Sequence, residues 1–451
     1  MNRRYNILSI AAVAVIAATL FGSTYSQSQM AGNAYSVSRS DKDLMEKIHA
    51  MGGLQLVMPS AFAQVPLDQV DAMVAAGHPL KEFSMTAQSV DLPIIDGKTY
   101  HAMTWNGQVP GPTVRVTQGD LIKVTVTVPD TEPTRHGLDM HASQMSKGGG
   151  ASIKQGTSTI LAFIADTPGT FKYHCSGVDV AGMDQHVLSG MYGLTIVDPI
   201  GGYKKLLVES TNAENGKVSI KRTMYEPDAL EFQLQYNQLY LDDKGNYDQS
   251  AMMMHHQSGA VVNGFQFGYV PNAVHNKLIN GDENKNIFVV QPWNSADLKQ
   301  YQSQLIFVPT GVHTRWFVEN QGNEPLFFHI VGEIIDRVVQ GNRVQAQGTE
   351  TWLVGGSQGA TMDVVFDNPG AYVVVNHDYA EIFGGAATVI VAGDPFHLEA
   401  AKGKSSYAEV LGNPSDAVPP MGMNSMKQKL NLHGLYTDAR AAEIAKELGI
   451  Q

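Results

Sequence analysis

The chain has a single cysteine, Cys175, in a Tyr-His-Cys run from Tyr173 to Cys175. His186 follows eleven residues later and Met191 five after that. A thiolate, an imidazole and a thioether so close in sequence lack only a second imidazole to make a mononuclear copper set. His136, upstream in the segment Arg135 to His141, can supply it. Soft sulfur holds Cu(I) and imidazole also suits Cu(II), so such a set favours an ion that changes valence in place. A lone cysteine can instead serve as a small buried hydrophobe. That use would leave His174, His186 and Met191 unexplained.

Strand geometry sorts these residues. Successive strand side chains point to opposite faces, so an odd offset switches face. His136 and His141 differ by five, and His174 and Cys175 by one. If both pairs lie on strands, the inward set is His136, Cys175, His186 and Met191, a type 1 copper site for electron transfer. The outward set is His141 and His174, which needs a third ligand. His377, the counterpart of His174 in a degenerate repeat, is the candidate. Three neutral imidazoles with an open position make a type 2 site able to polarise an anionic oxygen ligand. Two coppers per chain follow, wired through the His174–Cys175 dipeptide. Asp139 lies two residues from His141 and shares its face. A carboxylate there can hold a proton and pass it on, although a solvated loop aspartate is the plainer use.

The elements that must position these groups are strands. Val114, Val116, Ile122, Val124 and Val126 alternate with polar residues, the pattern of a half-buried strand. Turn signals such as Pro110-Gly111-Pro112 punctuate them. Pro168 to His174 corresponds to Pro369 to His377, with two extra residues, and His136 to His141 corresponds to His329 to Ile334. A repeat of this length implies two similar β-sandwiches. The expected division is a signal peptide or anchor at 1–26, a leader at 27–84, domain 1 at 85–200, domain 2 at 201–398 and a tail at 399–451. Helices are expected around 44–51 and 67–76 in the leader and at 437–448 in the tail.

The bulk composition limits the functions available. A length of 451 residues with 43% hydrophobic content suits two or three folded units. A net charge of −12 argues against nucleic acid, whose phosphates require a basic face. Arg3 and Arg4 precede an apolar run from Ile7 to Phe21, which is short for a membrane span and suits an export signal. The chain is therefore expected on the periplasmic or extracellular face, with an uncleaved anchor as the alternative. An exported chain with one cysteine forms no internal disulfide, which favours the thiol as a metal ligand.

From about Ala102 to Ala392 the chain resembles the copper-containing nitrite reductases, two-domain proteins related to the multicopper oxidases. The matching features are Asn106-Gly-x-x-Pro-Gly-Pro112, His136 to His141, Tyr173 to Cys175, His186 to Met191 and Asn376-His377. The resemblance implies an all-β fold of two tandem cupredoxin-like Greek-key β-sandwiches and a homotrimer. It implies a type 2 copper shared between subunits, with His141 and His174 from one and His377 from the next. It also implies electron supply by a small copper protein or cytochrome, reduction of nitrite to nitric oxide, and Asp139 as the catalytic aspartate.

Three departures stand out. The resemblance places a second catalytic histidine five residues after His329, where this chain has Ile334, which cannot relay a proton. Glu333 and His313 are possible replacements. The Cys175–His186 loop is two residues longer than usual, with Gln185 where an aromatic residue is common. Additions occur at both ends and around Trp293 to Gln304. His329 itself reads as a core histidine, and Asp378 occupies the place equivalent to Cys175, so domain 2 should carry no type 1 copper.

Other readings stay open: an enzyme for hydroxylamine or nitric oxide, a two-domain oxidase reducing dioxygen, or a copper electron carrier. The run Met252-Met253-Met254-His255-His256 offers further copper donors, but consecutive residues in a strand diverge, so it reads as a plain strand or loop.

Overall fold

The computed structural model of the protein describes residues 65–94, 98–143, 152–177, 180–214, 217–269, 306–368 and 370–393. The expected signal segment, the leader helix at 44–51, the insertion around Trp293 and the tail lie outside the described residues. The second leader helix is present as a 3₁₀ turn, Leu67–Gln69, running into α1 (Val70–Ala75).

Eight strands form the first sandwich: β1 (Leu80–Pro93), β2 (Thr99–Trp105), β3 (Val114–Thr117), β4 (Leu121–Val128), β5 (Asp139–Met140), β6 (Thr157–Ile164), β7 (Gly169–His174) and β8 (Tyr192–Asp198). They make two four-stranded sheets, β2-β1-β4-β6 and β3-β8-β7-β5. Helix α2 (Val180–Leu188) links β7 to β8. A ribbon of β9 (Leu206–Glu214) and β10 (Lys217–Tyr225) follows.

The second sandwich contains β11 (Leu230–Leu239), α3 (Gln249–Met253), β12 (Gly259–Val262), β13 (Ile306–Pro309), β14 (His313–Asn320), β15 (Leu326–Ile330), β16 (Ile335–Gln340), β17 (Arg343–Thr349), β18 (Thr351–Val354), β19 (Gly359–Val365), β20 (Gly370–Asn376), α4 (Tyr379–Gly384) and β21 (Ala387–Gly393). Its sheets run β12-β11-β14-β19-β16-β17 and β13-β21-β20-β15-β18. Without β16, β17 and β18, the strand orders of the two sandwiches match position by position. The parallel pairs recur too: β1 with β4 and β3 with β8 in the first, β11 with β14 and β13 with β21 in the second. The internal repeat read in the sequence is thus a repeat of topology.

Each sandwich has its own apolar core. Val114, Val116, Ile122, Val124 and Val126 are all buried in the first, as their alternation requires. Trp316, Phe328 and Tyr372 are buried in the second. The sandwiches meet where β7 packs on β14 and β19. Thr170 Oγ1 lies 2.9 Å from Thr361 Oγ1 there, and Lys172 Nζ donates to Gln321 O at 2.6 Å.

Tyr173 fixes the end of β7 beside the ligand residues. It is fully buried and donates its hydroxyl to Pro112 O at 2.6 Å. Its cross-strand partner is Gly193 on β8, where a Cβ would stand 2.2 Å from the Tyr173 ring. Overpacking a filled core forces backbone shifts. Gly193→Ala is therefore expected to cost about 1–3 kcal/mol of stability, read as a lower denaturant midpoint at unchanged slope.

Candidate functional site

Two groups of donors form at the end of β7, one on each side of the sheet. In the first, the ligand atoms of His136, Cys175 and His186 lie within 4.8 Å of one another. Cys175 Sγ is 3.3 Å from His186 Nδ1 and 3.8 Å from His136 Nδ1, and all three residues are buried. His136 is held by a backbone bridge to Ile153. His186 sits in the last turn of α2 rather than in an extended loop. Met191 is fully buried, and its backbone bonds both to Cys175 and to His186. The structure thus brings all four inward residues to one place.

The chemistry of this group fits copper. Burial pushes the Cys175 thiol up to about 11, against two opposing backbone donors, Gly137 N–H and Gly177 N–H, which point at Sγ. A bound cation would deprotonate such a thiol, and the two N–H groups are placed to stabilise the thiolate. Burial also lowers the pKa of His136, although Glu132 opposes it, so the imidazole is kept neutral for ligation. Glu132 Oε2 stands 3.4 Å from His136 Nε2, on the ring edge away from the sulfur. Carboxylates in that position orient metal-binding imidazoles.

The second group is Asp139, His141 and His174. Asp139 and His174 are direct partners across β5 and β7. His141 opens a 3₁₀ turn just after β5. The two Nε2 atoms are 3.1 Å apart with the rings edge to face, and Asp139 Oδ2 is 3.9 Å from His174 Nε2. His174 Nδ1 lies 2.8 Å from Cys175 O, which directs Nε2 toward His141. Burial, and then the charge of Lys172, lower His141 to about 4, so its ring suits ligation at neutral pH. Alternation separates His174 and Cys175 into opposite groups, whereas His136 lies outside the named strands and His141 sits in the 3₁₀ turn, so strand period does not separate that pair.

His377 is not part of either group within the chain. Its ring is exposed, at the end of β20, and its N–H bonds to Phe327 O at 2.9 Å. Asn376 clamps the strand end, accepting from the N–H groups of Phe327 and Asp378. Asp378, at the Cys175-equivalent place, caps α4 by accepting from Ala380 N–H.

His329 is buried on β15, as its reading as a core histidine requires, and its ring packs 4.7 Å from that of His377. Its Nδ1 is anchored by Glu350 O at 3.0 Å and Thr351 Oγ1 at 3.1 Å. Position 334 lies elsewhere. Ile334 is 43% exposed and lines a cavity of about 470 Å³ with Leu207, Glu209, Glu333, Asp336 and Asp367. The histidine beside His377 is therefore His329, while Ile334 lines a separate cavity. His313 is no substitute either. It is buried between Asp363 Oδ1 at 2.8 Å and Glu226 O at 2.9 Å.

Two buried groups escaped the sequence reading. Lys172 shares a face with His174 and donates to Gln321 O and Ser357 Oγ across the domain junction. Burial lowers it to about 8. Its offset of two from His174 marked the face, but its burial depends on the second sandwich. Glu381, in α4 after His377, is 1% exposed and raised to about 8 by burial, with the Gln238 hydrogen bond opposing. The folded protein thus holds a proton there that the unfolded chain releases. Its stabilising contribution is complete below the unfolded value of 4.5 and is lost as pH rises toward about 8. Glu381→Gln is expected to flatten the Tm profile over that window and to raise Tm at pH 8.5.

Comparison with known proteins bears on the family of the chain. Residues 86–201 match the multicopper oxidase family model. The copper-containing nitrite reductase of Pseudomonas chlororaphis is 28% identical over 389 residues, covering 84% of this chain and 92% of that protein. That of Alcaligenes xylosoxydans xylosoxydans is 28% identical over 339 residues, covering 73% and 92%. The solved copper nitrite reductase of Nitrosomonas europaea is 30% identical, covers 69% of this chain and 94% of its own, and superposes with a TM-score of 0.54. With its paired sandwiches and its thiolate–imidazole donors, the chain belongs to the copper-containing nitrite reductase family and is a copper-dependent oxidoreductase.

Proposed function

We propose that the protein is an exported, homotrimeric enzyme that reduces nitrite by one electron, NO₂⁻ + 2H⁺ + e⁻ → NO + H₂O. The observation that carries this reading is the covalent neighbourhood of His174 and Cys175, one in each donor group. His136, Cys175, His186 and Met191 would hold a type 1 copper. His141 and His174, with His377 of a neighbouring subunit, would hold a type 2 copper, giving two per chain. Copper in these places supplies a one-electron path and a Lewis acid for an anionic oxygen ligand.

The rest is the work of the side chains. Asp139 stands beside His174 with its side chain 21% exposed, where it can hold a proton and deliver it to a nitrite oxygen. His329, fixed through Nδ1 with its ring packed against that of His377, suits the second proton or the orientation of the leaving water. The side chains of Phe327, Leu353, Tyr379 and Phe383 are each more than a third exposed in the segments around His377 and His329. A second copy docking there would cover them and exclude water from the shared site. The electron donor would be a small copper protein or cytochrome.

The test is anaerobic nitric oxide release by the copper-loaded protein with a chemical reductant. Release that is lost in His141→Ala supports the reading. A protein with both coppers bound that yields no nitric oxide would overturn it and turn attention to hydroxylamine or nitric oxide as substrate.

A further inference from the structure

His136, Cys175, His186 and Met191 all come from the first sandwich, yet the helix that carries His186 is held by the second. Helix α2 lies outside both sheets, so no ladder of strand hydrogen bonds fixes its place. Tyr247 donates its hydroxyl to Asp184 Oδ2 at 2.6 Å, and Gln249 Nε2 adds a longer contact to the same oxygen at 3.4 Å. Asn237, 1% exposed on β11, donates from Nδ2 to Leu188 O at 3.2 Å. Leu188 ends α2, where a carbonyl has no partner within the helix. The two ties bracket His186, one on each side in the chain. Helix residues two apart point to opposite sides. Asp184 therefore faces the second sandwich while His186 turns to Cys175 Sγ, 3.3 Å from its Nδ1.

The arm that carries Tyr247 is itself closed and docked. A bridge between Leu241 and Tyr247 closes the turn between β11 and α3. Asp242 accepts from Lys244 N–H and Asn246 N–H at 2.8 Å each. The turn lies on β2 of the first sandwich, where His101 N–H donates to Gly245 O at 3.0 Å. Gly245 has a φ of 82°, and a Cβ there would collide with Thr99 O. Asp248 then caps α3, accepting from Ala251 N–H at 3.0 Å. The run Met252 to His256 thus forms a helix end, not the strand or plain loop read from the sequence, with His255 Nδ1 2.7 Å from Glu324 Oε1.

We infer that Tyr247 is a positioning residue for His186: through Asp184 it clasps α2, so that the second sandwich sets the place of an imidazole in a donor group built by the first. The inference rests on the reading of His186 as a type 1 copper donor. Outer partners that orient a ligand are worth roughly 10–100-fold in metal affinity. A tyrosine–carboxylate bond that served stability alone would leave the thiolate–copper colour unchanged.

The test compares Tyr247→Phe, Asp184→Ala and Asp184→Asn in the whole protein. Without copper, amide exchange over residues 182–188 should be faster by roughly tenfold in Tyr247→Phe and Asp184→Ala, as for the loss of one hydrogen bond to a charged group. With copper, both variants should shift the type 1 absorption bands and weaken type 1 copper retention against a chelator by roughly tenfold. The type 2 electron paramagnetic resonance signal should stay as in wild type. Asp184→Asn keeps an oxygen that accepts the Tyr247 proton, and it should restore wild-type exchange and colour. Tyr247→Phe/Asp184→Ala should be no worse than either single variant, since both remove the same bond. Unchanged exchange in Tyr247→Phe, or faster exchange with unaltered type 1 bands and copper retention, would overturn the inference. Should wild type show no type 1 colour, the copper reading falls, and the copper-free exchange alone decides the clasp.

Discussion

Chains carrying His141→Ala and chains carrying His377→Ala, each inactive alone, are expected to recover nitrite turnover when refolded or co-expressed as a mixture. Each single variant should lose activity by roughly a thousandfold or more, the scale of several kcal/mol of metal-supplied stabilisation. In mixed oligomers, a His377→Ala chain still offers His141 and His174, and a His141→Ala chain still offers His377. Random association then restores roughly a quarter of the sites when the chains are equal in number. The basis is geometric. His141 and His174 bring their Nε2 atoms to 3.1 Å, whereas His377 lies exposed in the second sandwich, outside their group. A site closed within one chain would give no recovery. Type 1 colour should persist throughout, because Cys175 and His186 face the other side of β7.

His329→Ala and Asp139→Asn are expected to lower the rate of nitric oxide release by roughly 10²–10⁴-fold each, the range for loss of a positioned proton donor. Both should keep two coppers per chain, which separates a lost proton from a lost metal. Ile334→His should change the rate by less than about twofold, as for an ordinary exposed position. This contrast follows from where the rings lie. His329 packs on His377 and is anchored through Nδ1, while Ile334 faces a cavity lined by four carboxylates. Stopped-flow nitrite reduction with copper analysis of each variant decides it. A large gain in Ile334→His with no loss in His329→Ala would return the catalytic role to position 334.

The buried polar groups around these sites shape what each variant will do. Lys172 and Glu319 are both buried at the domain junction, and each reduces the other's burial-driven shift. Removing one partner of such a pair leaves the other uncompensated, so single substitutions there report stability before they report chemistry. Asp363 plays the equivalent part in the second sandwich, accepting from His313, Arg315 and Arg337. These networks explain why histidines and arginines far from either donor group are buried at all.

Much of this protein was legible in the sequence, because its donor residues are local in the chain or obey the two-residue strand period. Cys175, His186 and Met191 fall within one connection between two strands, and the single offset between His174 and Cys175 sends them to opposite faces by backbone geometry alone. The repeat was visible through matched segments such as Pro168–His174, and it carried His377 with it. Tertiary structure alone decided what depends on packing between distant segments. It placed His329 against His377, because that contact joins β15 to the end of β20 and has no periodic trace. It buried Lys172, because only the second sandwich removes that face of β7 from water. It also turned Met252 to His256 into a helix end tied to Glu324, because a five-residue helix is too short for its own hydrophobic period to announce it.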